Sequence, residues 1–193
     1  MRNRLSHGNT RKDRFMALKP KIYKSRIALS DTDRNYYDTL KLTIARHPSE
    51  TLERMMVRVL AYCINAQEYL TFTKGLCAVD EPDLWVRMPD DRIALWIDIG
   101  EPSLDRIKKA TRLSPAVRVY SFNSKTDVWW QQGQARFSEL PASVFRFRWE
   151  DIQVLAALVQ LTMDISITIT GDSAYIATDA GECEVPWETL QVA

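Results

Sequence analysis

Apolar and polar residues alternate from Lys21 to Leu29 (KIYKSRIAL) and again from Tyr36 to Ala45 (YYDTLKLTIA), around the turn-forming run Ser30 to Asn35. A period of two on both sides of a turn predicts an N-terminal β-hairpin. The period changes after Arg46-His47-Pro48-Ser49-Glu50. Leu52, Met55, Met56, Val59, Leu60 and Cys63 fall on one helical stripe, which predicts a helix opening near Pro48 and running to about Glu68. Leu84–Met88 and Ile93–Ile99, joined by Pro89-Asp90-Asp91-Arg92, predict a second hairpin. A helix from Leu104 to Leu113 and a strand from Ala116 to Phe122 follow. A short helix comes next, capped by Ser124 with Asp127, and then a strand from Ser143 to Arg148 and a helix from Trp149 to Leu161. Asp164–Thr170 and Ala174–Thr178 pair around Gly171, and Glu182–Val185 adds a short last strand. The pattern predicts a mixed α/β single domain, a central mixed sheet with helices on its faces.

At 193 residues the chain suits one buried core. Its three cysteines, Cys63, Cys77 and Cys183, are too widely spaced for a disulfide framework or a zinc pattern. There is no glycine-rich phosphate loop, so neither zinc nor a dinucleotide cofactor is expected. No apolar run reaches the length of a membrane span, and residues 1–15 lack the apolar core of a secretory signal. The expectation is a cytoplasmic protein without membrane contact. Charge divides the chain. Residues 1–15 carry a net +4 and read as a disordered basic extension, which leaves −3 for the rest. A body with that balance argues against a large non-specific DNA-binding surface. Locally, however, Arg106, Lys108, Lys109, Arg112, Arg118 and Lys125 face only Asp105 between residues 103 and 126, a candidate phosphate-binding face or a solvated one.

The chemistry concentrates in the second hairpin. Asp83 enters it and Asp98 ends its second strand. Two carboxylates on paired strands make an oxygen-rich site suited to Mg²⁺ or Mn²⁺; the plainer reading is a turn terminator and an exposed strand end. Glu50 and Glu53 both suit the first turn of the preceding helix, where the macrodipole favours carboxylates. Periodicity puts Glu53 nearer the buried stripe. On the following helix, Lys108 and Arg106 flank the apolar side and Lys109 points away, so Lys108 is the better inward cation. Trp129 and Trp130 are adjacent and cannot both face a core. One of them, Trp130 in this reading, is free with Gln131 to line a groove for a base or a phosphate, or to pack on a neighbouring loop.

Met16-Ala17-Leu18-Lys19, the run Arg46 to Thr51 with Glu53-Arg54-Met55-Met56, Phe72 to Leu76, Asp80-Glu81-Pro82, Arg106 to Ala110 and Trp129 to Gln132 together resemble the YaeQ family of bacterial proteins, from Met16 to the C-terminus. That resemblance implies residues 16–193 as one domain with a variant of the PD-(D/E)XK, restriction-endonuclease-like fold and a metal-dependent phosphodiesterase-like site. Carried over, Asp83 matches the first acidic position and Asp98 the second, with Glu53 or Glu50 completing the metal shell. The chain departs at the lysine: two residues after Asp98 stands Gly100, which leaves Lys108 to reach back from the next helix.

The leading expectation is therefore a nuclease-like hydrolase of nucleic acid. Asp83, Asp98 and Glu53 would hold Mg²⁺ or Mn²⁺, Lys108 would stabilise charge, and Arg106, Gln131 and Trp130 would contact substrate. The alternative is a non-catalytic nucleic-acid-binding or transcription-associated factor, favoured by Gly100 and the acidic body. A protein-interaction module is a third. The sequence carries no sign of oligomeric state.

Overall fold

A computed structural model describes residues 19–75 and 80–193. The N-terminal extension and Cys77 lie outside the described residues. Strands β1 (Lys21–Asp31) and β2 (Tyr36–Arg46) form the expected hairpin. Helix α1 (Leu52–Ile64) follows, then β3 (Leu70–Phe72), β4 (Leu84–Arg87), β5 (Ile93–Ile99), α2 (Leu104–Leu113) and β6 (Val117–Ser121). The chain continues through α3 (Thr126–Phe137), β7 (Ser143–Phe147), α4 (Trp149–Ala157), β8 (Thr162–Thr170), β9 (Ser173–Thr178) and β10 (Gly181–Gln191). Among the described residues, ten strands make one sheet in the order β2-β1-β8-β9-β10-β7-β6-β5-β4-β3. It is mixed: β1–β8, β5–β6 and β6–β7 pair in parallel, and the other neighbours are antiparallel.

Two apolar clusters divide the faces by strand alternation. Leu95, Ile97 and Ile99 of β5 join Met55, Val59, Leu60 and Cys63 of α1 and Ile152 and Leu155 of α4 in the larger one. Trp96 of β5 joins Val117, Val119, Ile107 of α2 and Phe137 of α3 in the smaller. Both adjacent tryptophans of α3 pack on the Phe137 ring, at centroid distances of 4.8 Å for Trp129 and 5.9 Å for Trp130.

Five boundaries differ from expectation. Pro48 sits in a turn closed by Glu50 N–H donating to His47 C=O at 2.9 Å. The helix therefore starts later, capped by Thr51, whose hydroxyl accepts from Arg54 N–H, and it ends at Asn65 rather than near Glu68. Helix α3 takes Lys125 as its N-cap with no side-chain cap bond, so Ser124 does not form the expected capping box. Helix α4 ends at Ala157, four residues short of the expected Leu161. Strand β10 is far longer than Glu182–Val185: residues up to Pro186 pair with β9 and those from Trp187 pair with β7. Pro186, which has no N–H to give, stands where the partner changes.

Gly133 lies against the Phe137 ring, where a Cβ would fall 2.2 Å from Cε2. Gly133→Ala is expected to destabilise the fold by about 1–3 kcal/mol, read as a lower melting temperature, because the overlapped ring is buried in the smaller cluster. An unchanged melting temperature would contradict this packing.

Candidate active site

The site starts from one buried carboxylate. Glu50, 3% exposed, precedes the N-cap of α1. Arg58, one face of the helix farther on, donates Nε to Glu50 Oε1 and Nη2 to Oε2, both at 2.8 Å. Arg54 donates Nη1 to Glu50 Oε1 at 2.9 Å and Nη2 to Asp83 Oδ1 at 2.6 Å. Burial opposes the charge of Arg54, but Asp83 and Glu50 outweigh it and raise the guanidinium pKa. Asp83 is fixed by its backbone as well: its N–H donates to Ile97 C=O at 2.9 Å and its C=O accepts from Thr73 N–H. Its second carboxylate oxygen accepts from Ile99 N–H at 2.8 Å. Asp83 thus ties α1 to both strands of the second hairpin.

Asp98, 2% exposed, stands one residue before the end of β5. Arg106 of α2 grips it as a fork, Nη2 to Oδ1 at 2.7 Å and Nε to Oδ2 at 3.0 Å, and also donates to Glu81 C=O at 2.8 Å. The Asp98 pKa lies above the usual aspartate value. Burial is the main cause, Arg106 opposes it, and the negative charge of Asp83 adds to the rise. Asp83 and Asp98 both line a cavity of about 470 Å³ with Arg54 and Arg106.

Glu81 and Glu101 complete the charged lining among the described residues, leaving two negative charges in excess. Glu101 is committed to structure. Its carboxylate accepts from Phe122 N–H, Asn123 N–H and the Thr126 hydroxyl, holding the β6–α3 loop.

The backbone explains the missing lysine. Strand β5 ends at Ile99, and Gly100 turns away at φ +102°, with its N–H on Tyr120 C=O at 2.9 Å. That conformation is strained for any residue with a Cβ, so a lysine at this position conflicts with the turn.

The other sequence-predicted residues are arranged differently. Glu53 is half-buried on α1 and absent from the cavity lining; Glu50 is the glutamate tied to the site, because the helix starts after it and not before. Lys108 is half-buried and does not line the cavity, whereas Arg106 does. Gln131 is exposed on α3, and Trp130 packs on Phe137 and Trp129 in the smaller core, so neither reaches this cavity. The residues that sequence reasoning missed are Arg54 and Arg58. Their signal was the i, i+4 and i, i+8 spacing from Glu50. Cys63 and Cys183 are no nucleophiles at neutral pH: burial pushes the Cys63 thiol up to about 12 and the Cys183 thiol to about 11.

The donor set suits a hydrated hard cation only. Among the described residues no group of three or more His, Cys, Asp or Glu side chains gathers as a metal shell. Asp83 and Asp98 both line a cavity with an excess of negative charge, and all four of their carboxylate oxygens accept N–H groups, from Arg54, Ile99 and Arg106. Arg54 and Arg106 compete for the same oxygens.

Two outcomes follow from the geometry. Glu50→Gln leaves the buried Arg58 without a counter-charge and is expected to cost about 3–5 kcal/mol, measured by urea unfolding. Because Asp98 holds its proton more tightly when folded than unfolded, its contribution to stability is largest at low pH. It declines as pH rises from about 4, the unfolded value, through the raised folded value. Asp98→Asn is expected to remove that downward slope; a variant with the same pH profile as the parent would contradict the assignment.

The YaeQ protein family profile matches residues 16–187. The chain is 42% identical over 174 residues to the YaeQ protein of Escherichia coli (strain K12), spanning 88% of this chain and 95% of that one. It is 39% identical over 172 residues to that of Salmonella typhi, with the same coverage. The crystal structure of the YaeQ protein from Xanthomonas axonopodis pv. citri superposes with a TM-score of 0.87 at 32% identity, covering 90% of this chain and 99% of that one. That from Pseudomonas syringae gives 0.86 at 34%, covering 90% and 97%. With matching sequence over most of its length and matching architecture, the chain belongs to the YaeQ family.

Proposed function

We propose that the chain is a metal-dependent, nuclease-like hydrolase acting on phosphodiesters of nucleic acid, with Asp83 and Asp98 as its acidic pair. One observation carries this reading: two carboxylates, Asp83 just ahead of β4 and Asp98 on β5, open into a single cavity whose lining is negative by two charges. Such a lining repels a bare phosphate and attracts a cation. In this reading Asp83 and Asp98 hold Mg²⁺ or Mn²⁺. A bound ion of this kind lowers the pKa of its water and polarises a phosphoryl oxygen.

The chain's own groups do the rest. Glu50, through Arg54, fixes the position of Asp83. Arg106 takes the place of the lysine that Gly100 displaces: its guanidinium carries a permanent positive charge beside Asp98. The hydroxyls of Ser49 and Thr51 line the same cavity and suit contacts to phosphate oxygens.

A second reading has its own observation. Both aspartates already accept arginine N–H groups at 2.6–3.0 Å, which favours a non-catalytic nucleic-acid-binding factor whose ion pairs only hold the fold.

The test is incubation with plasmid, single-stranded DNA and RNA in Mn²⁺, Mg²⁺ or EDTA, with Mn²⁺ binding measured by calorimetry on the same samples. Metal-dependent cleavage that disappears in Asp98→Asn is expected. Arg106→Gln, by removing a positive charge beside the ion, is expected to tighten Mn²⁺ binding about tenfold while cleavage falls. Absence of both Mn²⁺ binding and cleavage would overturn the hydrolase reading and favour the binding factor.

A further inference from the structure

Strand β2 is an edge. Among the described residues its sole strand partner is β1, along an unbroken register from Tyr36 to Arg46 with no bulge and no proline. The opposite edge, β3, has only three residues. A long regular edge presents a row of backbone donors and acceptors to any strand of matching pattern. Leu40 and Leu42 are only partly buried against the core that Ile44 completes, so the apolar layer stops at this edge.

The pattern of β2 is complementary to itself. Along the core-facing side the residues are Asp38, Leu40, Leu42, Ile44 and Arg46. In an antiparallel pair, residues directly opposite share a face, and those with outward-pointing N–H and C=O must meet their like. Two copies of β2 related by a two-fold axis satisfy this only when the axis passes through a residue. With the axis at Leu42, Asp38 meets Arg46 at both ends, Leu40 meets Ile44, and Leu42 meets its own copy. On the other side Lys41 meets Thr43 and Thr39 meets Ala45. Moving the axis to Lys41 sets two lysines against each other, and moving it to Leu40 sets Asp38 against Leu42. The Leu42 register alone pairs opposite charges without opposing like ones.

The side chains suit that pairing. Asp38 is exposed. Arg46 is half-buried: it donates Nη1 to Glu50 C=O at 2.9 Å, lies over the Tyr23 ring, and has a buried Nε without a hydrogen-bond partner. Cross-strand pairs of opposite charge and facing aliphatic residues each stabilise a sheet, and the interface is isologous, as a two-fold dimer requires.

We infer that this chain forms a two-fold homodimer by antiparallel pairing of β2 with β2 of a second copy, in the register that sets Leu42 against Leu42, so that the two sheets become one. The inference is independent of the proposed chemistry.

Sedimentation equilibrium of the full chain and concentration-dependent hydrogen exchange test it. The expected result is a mass of two chains, with amide protection that rises with concentration within residues 36–46. Asp38→Arg, folded by circular dichroism, is expected to raise the dimer dissociation constant about tenfold by placing like charges at both ends. Adding Arg46→Asp restores the pairing. A monomer at high micromolar concentration would overturn the inference. So would a dimer whose protected amides lie outside β2, or one indifferent to Asp38→Arg. The exchange pattern decides the matter even if a variant fails to fold.

Discussion

The carboxylate of Glu50 is the contact on which the site depends. It is buried just ahead of α1 and grips two arginines of that helix, one of which passes the connection on to Asp83 at the mouth of the second hairpin. A charge this deep is tolerable only if paired and hydrogen-bonded. Here the pairing also serves position. It sets the rotation of α1 over the sheet and the height of Asp83 relative to Ile99, whose N–H completes the carboxylate's contacts. Strands β4 and β5 and helix α1 are thus held by one polar chain as well as by the apolar cluster beneath it.

The second half of the site is assembled on the other side of β5. Asp98 shares its face with Trp96, and α2 packs on that face through Ile107 and Ala110. The same packing delivers Arg106 to Asp98. Two helices on opposite faces of the sheet therefore each send one arginine to one aspartate, and the cavity forms between them. The raised pKa of Asp98 measures what remains after the arginine has acted: burial and the neighbouring Asp83 still outweigh it.

Much of this was legible in the sequence. Period-two segments point to β1 and β2, and the stripe from Leu52 to Cys63 to the body of α1, because burial on one face enforces those periods; apolar runs around the Pro89–Arg92 turn point to β4 and β5. Asp83 and Asp98 stood out through their places around the Pro89–Arg92 turn. Their convergence on one cavity depended on the sheet's twist and on two helices from other parts of the chain, and neither is local. The choice between Glu50 and Glu53 turned on where the helix begins. Pro48 suggested an early start, but the His47–Glu50 turn intervened, and the angular argument favouring Glu53 lost its origin. Lys108 and Arg106 differ by two residues on α2. Only the depth of α2 against β5, set by Ile107 beneath, distinguished the cation that reaches Asp98. The last strand, expected over Glu182–Val185, runs on past Pro186, where in the fold its partner changes from β9 to β7.

The central claim is that Asp83 and Asp98 form one electrostatically coupled pair in a shared cavity. The most direct measurement is the titration of the Asp98 carboxyl carbon by nuclear magnetic resonance, in the parent chain and in Asp83→Asn. A midpoint above that of an ordinary aspartate is expected in the parent and a lower one in the variant, where the repelling charge is gone and Arg54 is released. An Asp98 that titrates at or below the ordinary value, or that is indifferent to Asp83→Asn, would contradict the pairing.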